Sequence, residues 1–347
     1  MQTSRFSLFL ILATLVMSCD HRISMETTVH PDGRLDKTII LEASDSSRVT
    51  NNFLGISPSK GWLATIEKNK QDSASGKELK DKKELLITFR KSFSSSQQAN
   101  EELASPVDTL FHVSSEFNTR FRWFYTYMHY ADTYHAINRM KYPSDDYFTP
   151  EDYAFIDRLP AEGSPISKAD SLYLSDLNKK IYDVYGSRAI YEEFYALLEN
   201  QISQSLGIRW IDTLRKSREH IYSTLLKQKD MENDFMLKMA DSLGIPKLPA
   251  AASAQYMSLA KEVERKVDYM SGAGNGTYDH RINMPWTVVE SNADSVNDKT
   301  LFWHPSTTKF LLKDYTMYAE ARNLNYWAIL VSAIIVLATG FLLFRRK

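Results

Sequence analysis

The sequence predicts an α+β protein: a mostly antiparallel β-sheet domain with a large helical insertion, followed by one C-terminal transmembrane helix. Three patterns predict it. Apolar residues alternate with polar ones toward both ends of the central region, recur at three- and four-residue steps between residues 144 and 270, and run without a charge from Asn323 to Phe344. These are the signatures of strands, amphipathic helices and a membrane span respectively. With 43% apolar and 12% aromatic residues, and 42 Lys+Arg against 43 Asp+Glu, the chain can fill a core and offers no cationic excess for a nucleic-acid groove.

Residues 1–18 read as a lipoprotein signal peptide, with Arg5 as the positive start, Phe6 to Val16 as the apolar segment, and Met17-Ser18 leading to Cys19, the only cysteine. Leu15 to Cys19 resembles the bacterial lipobox, whose cysteine is acylated, typically with palmitate, and becomes the first mature residue. Cys19 is thus the expected lipidation site, and the following Asp20 implies retention at the inner membrane. A single cysteine leaves no intramolecular disulfide, so the fold must hold by its core.

Residues 19–143 are expected to form the first part of an extracytoplasmic β-rich domain. Ile23, Met25 and Val29 alternate with polar neighbours, Pro31-Asp32-Gly33 supplies a turn, and Leu35, Ile39 and Leu41 resume the alternation. That is a hairpin with glycine at a left-handed position. Pairing Val29 with Leu35, Met25 with Ile39 and Ile23 with Leu41 places every apolar residue on one face. Trp62–Glu67 and Glu84–Phe93 suggest two more strands around a polar loop, Asn69–Lys83, and Ser96–Ala104 suggests a helix. Phe117 to Tyr134 reads as one long aromatic strand.

Residues 144–270 carry the helical insertion, marked by Tyr182, Tyr185, Ile190, Phe194, Leu198, Ile211, Leu214, Ile221 and Leu225 and punctuated by Gly207, Gly244 and Pro246. Ser271–Thr277 reads as a glycine-rich hinge. The second part of the β-rich domain, 271–322, offers strands at Ile282–Glu290, Thr300–Trp303 and Lys309–Ala319. The span 323–344 rises about 33 Å as a helix, enough for roughly 30 Å of hydrocarbon. Tyr326 and Trp327 mark one interface, and the tail 345–347, Arg-Arg-Lys, marks the cytoplasmic side.

A lipobox, a Pro-Asp-Gly hairpin, an aromatic strand, the segment Met284 to Ala293 leading to Leu301-Phe302-Trp303, and a C-terminal membrane helix together resemble tail-anchored bacterial lipoproteins of the mycobacterial LppM type. The likeness covers residues 19–137 and 280–347 loosely and departs where Pro285-Trp286 stands for the family's Pro-Gly pair. It implies an α+β extracytoplasmic domain associated with envelope lipids and transfers no catalytic residue.

The chain contains no Gly-x-Ser-x-Gly, His-Glu-x-x-His, Walker-type or repeated Cys/His motif, so neither cofactor nor metal is expected. Gly272-Ala273-Gly274-Asn275-Gly276 lacks the lysine of a phosphate loop. His129 and His135 flank Asp132 at a spacing too long for a shared metal in a strand, whereas His280 beside Asp279 and His304 beside Trp303 could converge in the fold. Asp145-Asp146, Lys179-Lys180 and Glu192-Glu193 read as solvated helix faces. The candidate ligand-binding set is Arg120, Arg122, Trp123, Tyr125, Tyr127 and Tyr130, which combines cations with amphipathic rings. The competing account is a sheet core with tyrosine hydroxyls at its edge. The expected function is a non-enzymatic envelope lipoprotein held at the inner membrane by lipid and helix, which binds or scaffolds envelope lipid, glycan or membrane protein. The alternative is an envelope-polymer hydrolase or transferase with Asp132, Asp145 or Asp279 in one cleft.

Overall fold

The structure is a computed structural model that describes residues 22–43, 46–50, 52–68, 85–104, 111–227, 234–274 and 276–345. The expected signal peptide, Cys19 and the loop Asn69–Lys83 lie outside the described residues. The described chain divides into two compact units: a helical unit of residues 136–276 and 307–313, and a β-rich unit of residues 22–135, 277–306 and 314–345.

The β-rich unit starts with the hairpin of β1 (Arg22–Val29) and β2 (Leu35–Ala43). Its register pairs Ile23 with Leu41, Met25 with Ile39 and Val29 with Leu35, because alternation buries one face and the turn fixes the offset. Gly33 sits at φ 89°, which glycine adopts without a Cβ penalty, and its amide donates to the His30 carbonyl at 3.0 Å. β3 (Leu63–Lys68) and β4 (Leu85–Phe93) extend the sheet beyond β2. On the other side β1 pairs in parallel with β7 (Thr277–Asn283). β9 (Ser295–Asn297) and β10 (Thr300–Trp303) complete a seven-stranded sheet in the order β3-β4-β2-β1-β7-β10-β9.

A second sheet contains β5 (Val113–Phe121), β6 (Tyr125–Tyr134), β8 (Thr287–Ser291) and β11 (Tyr315–Leu324), in the order β5-β6-β11-β8. Every pairing within it is antiparallel. Helix α1 (Ser96–Leu103) is tied to it by the Asn100 side chain, which bonds the backbone of Ser115 at both its amide and its carbonyl. Alternation aims Ile23, Met25, Ile39 and Leu41 of the larger sheet, and Met128, Met317, Ala319 and Ala321 of the smaller, into the buried interior.

In the helical unit come α2 (Pro150–Arg158), α3 (Lys168–Lys179), a π-helical segment Lys180–Gly186, α4 (Ser187–Leu206), α5 (Arg209–Lys216), α6 (Arg218–Leu225), α7 (Phe235–Ser242) and α8 (Ala250–Gly274). The three- and four-residue spacing does build their core: Tyr191, Phe194, Leu198, Ile211, Leu214 and Ile221 are all buried in one cluster. Glu192 and Glu193 are not solvated. They are buried and paired, Glu192 with Arg188 and Arg218 and Glu193 with Lys266. Lys180 likewise pairs with Asp152 at 2.6 Å.

Other elements differ from expectation. The aromatic run is two strands, since the chain reverses at 122–124, where the Arg122 amide donates to the Tyr125 carbonyl at 2.7 Å. The segment 282–290 breaks at Met284-Pro285-Trp286, because Pro285 has no amide to give a ladder. α8 runs on to Gly274 and leaves little hinge. Thr307–Phe310 is a 3-10 turn that belongs to the helical unit, so the last strand begins only at Tyr315. Helix α9 (Tyr326–Arg345) follows that strand almost directly, is apolar and long enough to cross a membrane, and is nearly unburied.

Candidate functional site

The strand β6 divides its side chains between two faces. On the inner face Asp132 accepts hydrogen bonds from Lys37 Nζ at 2.9 Å, Ser115 Oγ at 2.5 Å and the Tyr130 hydroxyl at 2.8 Å through one oxygen. The other oxygen accepts from Thr27 Oγ1, Lys37 Nζ and His280 Nε2, each at 3.0 Å. His280 Nδ1 in turn accepts from the Tyr134 hydroxyl at 2.9 Å. Burial alone would push the Asp132 carboxyl up. The Lys37 ammonium and the bonds from His280 and Ser115 outweigh it and hold the carboxyl far below its ordinary range. Burial keeps His280 below its ordinary value despite the adjoining carboxylate.

This constellation has the parts of a proton relay but no opening. Lys37, Asp132 and Tyr134 are at most 1% exposed, and His280 2%. Its chemistry is that of a satisfied polar core, in which each group covers the desolvation of the next. Tyr130 belongs here and not to the surface set: it is 0% exposed, and burial with the nearby Asp132 charge raises its hydroxyl well above the ordinary value.

The remaining set residues lie elsewhere. Arg120, Tyr125 and Tyr127 occupy the opposite, outer face of the smaller sheet, toward the end where β11 hands over to α9. The Arg120 guanidinium stands 5.5 Å over the Tyr127 ring and 3.7 Å from Glu320. Arg322, which sequence reasoning missed, stands 4.5 Å over the Tyr125 ring. The signal for it was the alternation of Ala319 and Ala321 with Glu320 and Arg322, which turns the charged pair outward. Arg122 and Trp123 lie in the β5–β6 turn, both exposed. The result is a strip of cations on rings, open to solvent, at one end of one sheet.

Of the other titratable candidates, Asp279 meets His304 and His280 meets Trp303, as the sequence allowed, while the rest stay apart. His280 turns inward, whereas its neighbour Asp279 lies on the opposite face and accepts from Arg22 and Ser24 at 3.2 Å and lies 2.5 Å from His304 Nδ1. His135 joins Asp314 and Ser114, and His129 stacks on Tyr318. Asp145 is an exposed residue of the helical unit. Among the described residues no group of three His, Cys, Asp or Glu is placed to hold a metal.

No family model matches this chain, and neither does any curated protein. Among solved structures, the folded domain of LppM from Mycobacterium tuberculosis, determined by NMR, aligns over 88% of this chain and 91% of its own length. The identity is 7% and the TM-score 0.28, so the likeness is loose and carries no argument about function.

Proposed function

We propose that the protein is a non-enzymatic, membrane-anchored component of the bacterial cell envelope whose β-rich unit binds the acidic headgroups of envelope lipids. One observation carries this reading: Arg120 and Arg322, each lying over a tyrosine ring, flank the end of the sheet from which the apolar helix α9 departs. With α9 across a bilayer, both guanidinia stand at headgroup height. There each cation contributes about 1 kcal/mol to binding an anionic surface, and Arg presents a planar fork to phosphate. The closure of the Asp132–His280–Tyr134 chain to solvent favours binding over hydrolysis. The reading adds a lipid at Cys19 and an inner-membrane location with the large units outside the cytoplasm and residues 345–347 on its inner side. The bilayer itself is the first partner.

Native mass spectrometry of the full chain released from nanodiscs of mixed phosphatidylglycerol and phosphatidylcholine tests it. The wild type is expected to retain phosphatidylglycerol, and Arg120→Gln with Arg322→Gln to lose it. Equal retention by both would remove headgroup binding at this face.

A further inference from the structure

We infer that the tip of the β5–β6 hairpin, residues 121–124, is a second membrane-inserted element, immersed beside the first turns of α9. This goes beyond headgroup binding by the arginines and depends only on α9 spanning a bilayer.

Four observations converge on it. First, Phe121, Trp123 and Phe124 are 57%, 46% and 47% exposed although they cluster at one turn, an apolar patch that water does not favour and an interface does. Second, the tip lies alongside the helix and not above it: Phe121 stacks on Trp327 with ring centroids 6.1 Å apart, and Trp123 meets the same ring edge-on at 5.5 Å. Third, Trp123 Nε1 donates to Ser332 Oγ at 2.8 Å. Ser332 is about 9 Å along the axis from Tyr326, at roughly 1.5 Å per residue, so the indole reaches well past the start of the apolar helix and finds there an acceptor for its N–H, which hydrocarbon would not supply.

The fourth observation is the treatment of the turn's backbone. An exposed turn leaves its carbonyls to water, which a bilayer does not supply. In this turn Asn325 Nδ2 donates to the carbonyls of Arg122 at 2.8 Å and Trp123 at 3.2 Å, and the Asn325 amide donates to the Phe124 carbonyl at 2.8 Å. Asn325 Oδ1 accepts from Thr126 Oγ1 at 2.9 Å. Three successive carbonyls are thus satisfied by protein, as a turn inside the interface requires. The occupant of the aromatic tip is therefore a lipid surface, since the tip shares its depth with the spanning helix itself.

Quenching of tryptophan emission by brominated acyl chains tests this. The full chain is reconstituted in phosphatidylcholine–phosphatidylglycerol vesicles as Trp123→Phe, Trp327→Phe and the double variant, which sets the baseline. Bromine is expected to quench each single variant beyond the baseline, with Trp123 in the Trp327→Phe chain also shielded from aqueous acrylamide. Quenching in Trp123→Phe alone would overturn the inserted tip while leaving the spanning helix in place; quenching in neither would overturn both. Shielding of Trp123 from acrylamide without bromine quenching would mean that a second copy of the chain covers the tip, and would also overturn it.

Discussion

The two ends of β6 are built from the same residue types and meet different surroundings. At one end Tyr130, Asp132 and Tyr134 are sealed against Lys37 and His280; at the other, Tyr125 and Tyr127 stand half-buried beneath arginines and the strand leads back into an exposed aromatic tip. What separates them is first parity, since alternation turns Tyr130, Asp132 and Tyr134 toward the other sheet and Tyr125 and Tyr127 away from it, and then where the covered stretch ends. Phe117 packs against the β1–β2 turn at Gly33, and β5 beyond it, from Asn118 to Phe121, is exposed. An aromatic strand is core on the face, and over the length, that another sheet covers, and surface elsewhere.

The sharpest way to break this comparison is to uncouple the sealed end. Lys37→Met leaves Asp132 charged and buried without its cation, a loss of about 3–5 kcal/mol that denaturant unfolding of the detergent-solubilised chain will read. A loss comparable to that of a surface change would mean the network is wet. Next comes the boundary itself: Gly33→Val puts a β-branched residue at φ 89°, where its Cβ would meet Phe117 at 3.0 Å. Strain alone is about 1–2 kcal/mol, so this variant should melt below Asp32→Ala, and the reverse order would refute the turn's role.

The pH dependence of the sealed end has a definite sign. His280 is held neutral below its ordinary value, so the unfolded chain takes up that proton first and the folded state loses stability as pH falls through about 6.5. Asp132, held far below its range, contributes fully above about pH 4 and is lost only in stronger acid. The stability deficit of His280→Asn relative to wild type should therefore shrink between about pH 8 and about pH 5. A deficit constant across that window would show His280 to be accessible to protons in the fold. The smallest effect belongs to the open end: Arg120→Gln should change stability by no more than about 0.5 kcal/mol, and a larger loss would place that face in the core.

The β1–β2 register was legible because everything that fixes it is local, namely an alternating pair of strands and a glycine at the turn. The β5–β6 reversal was not, because the turn Arg122-Trp123-Phe124 contains no turn former. Its backbone is satisfied by Asn325, 203 positions from Arg122, so the signal was far from the structure it made. Similarly, His280 meets Asp132 only through the parallel pairing of β1 with β7, which joins residues about 255 positions apart. The outward arginines were half legible: Arg120 followed from its aromatic neighbours, while Arg322 needed the register of β11 on β6. Tyr130 was placed with the wrong group because alternation names two faces without saying which one is covered.

The junction at Asn325 gives helix α9 an angular meaning. One residue turns an α-helix by about 100°, so an alanine inserted between Asn325 and Tyr326 would keep the hydrogen bonds to the turn and swing Trp327 and Ser332 away from Trp123. An unrelated apolar helix of equal length would be as fit to cross a bilayer and would lose this phase. As built, α9 fixes the compass bearing of the β-rich unit about the helix axis, and any neighbour that packs on α9 meets the same side of that unit each time.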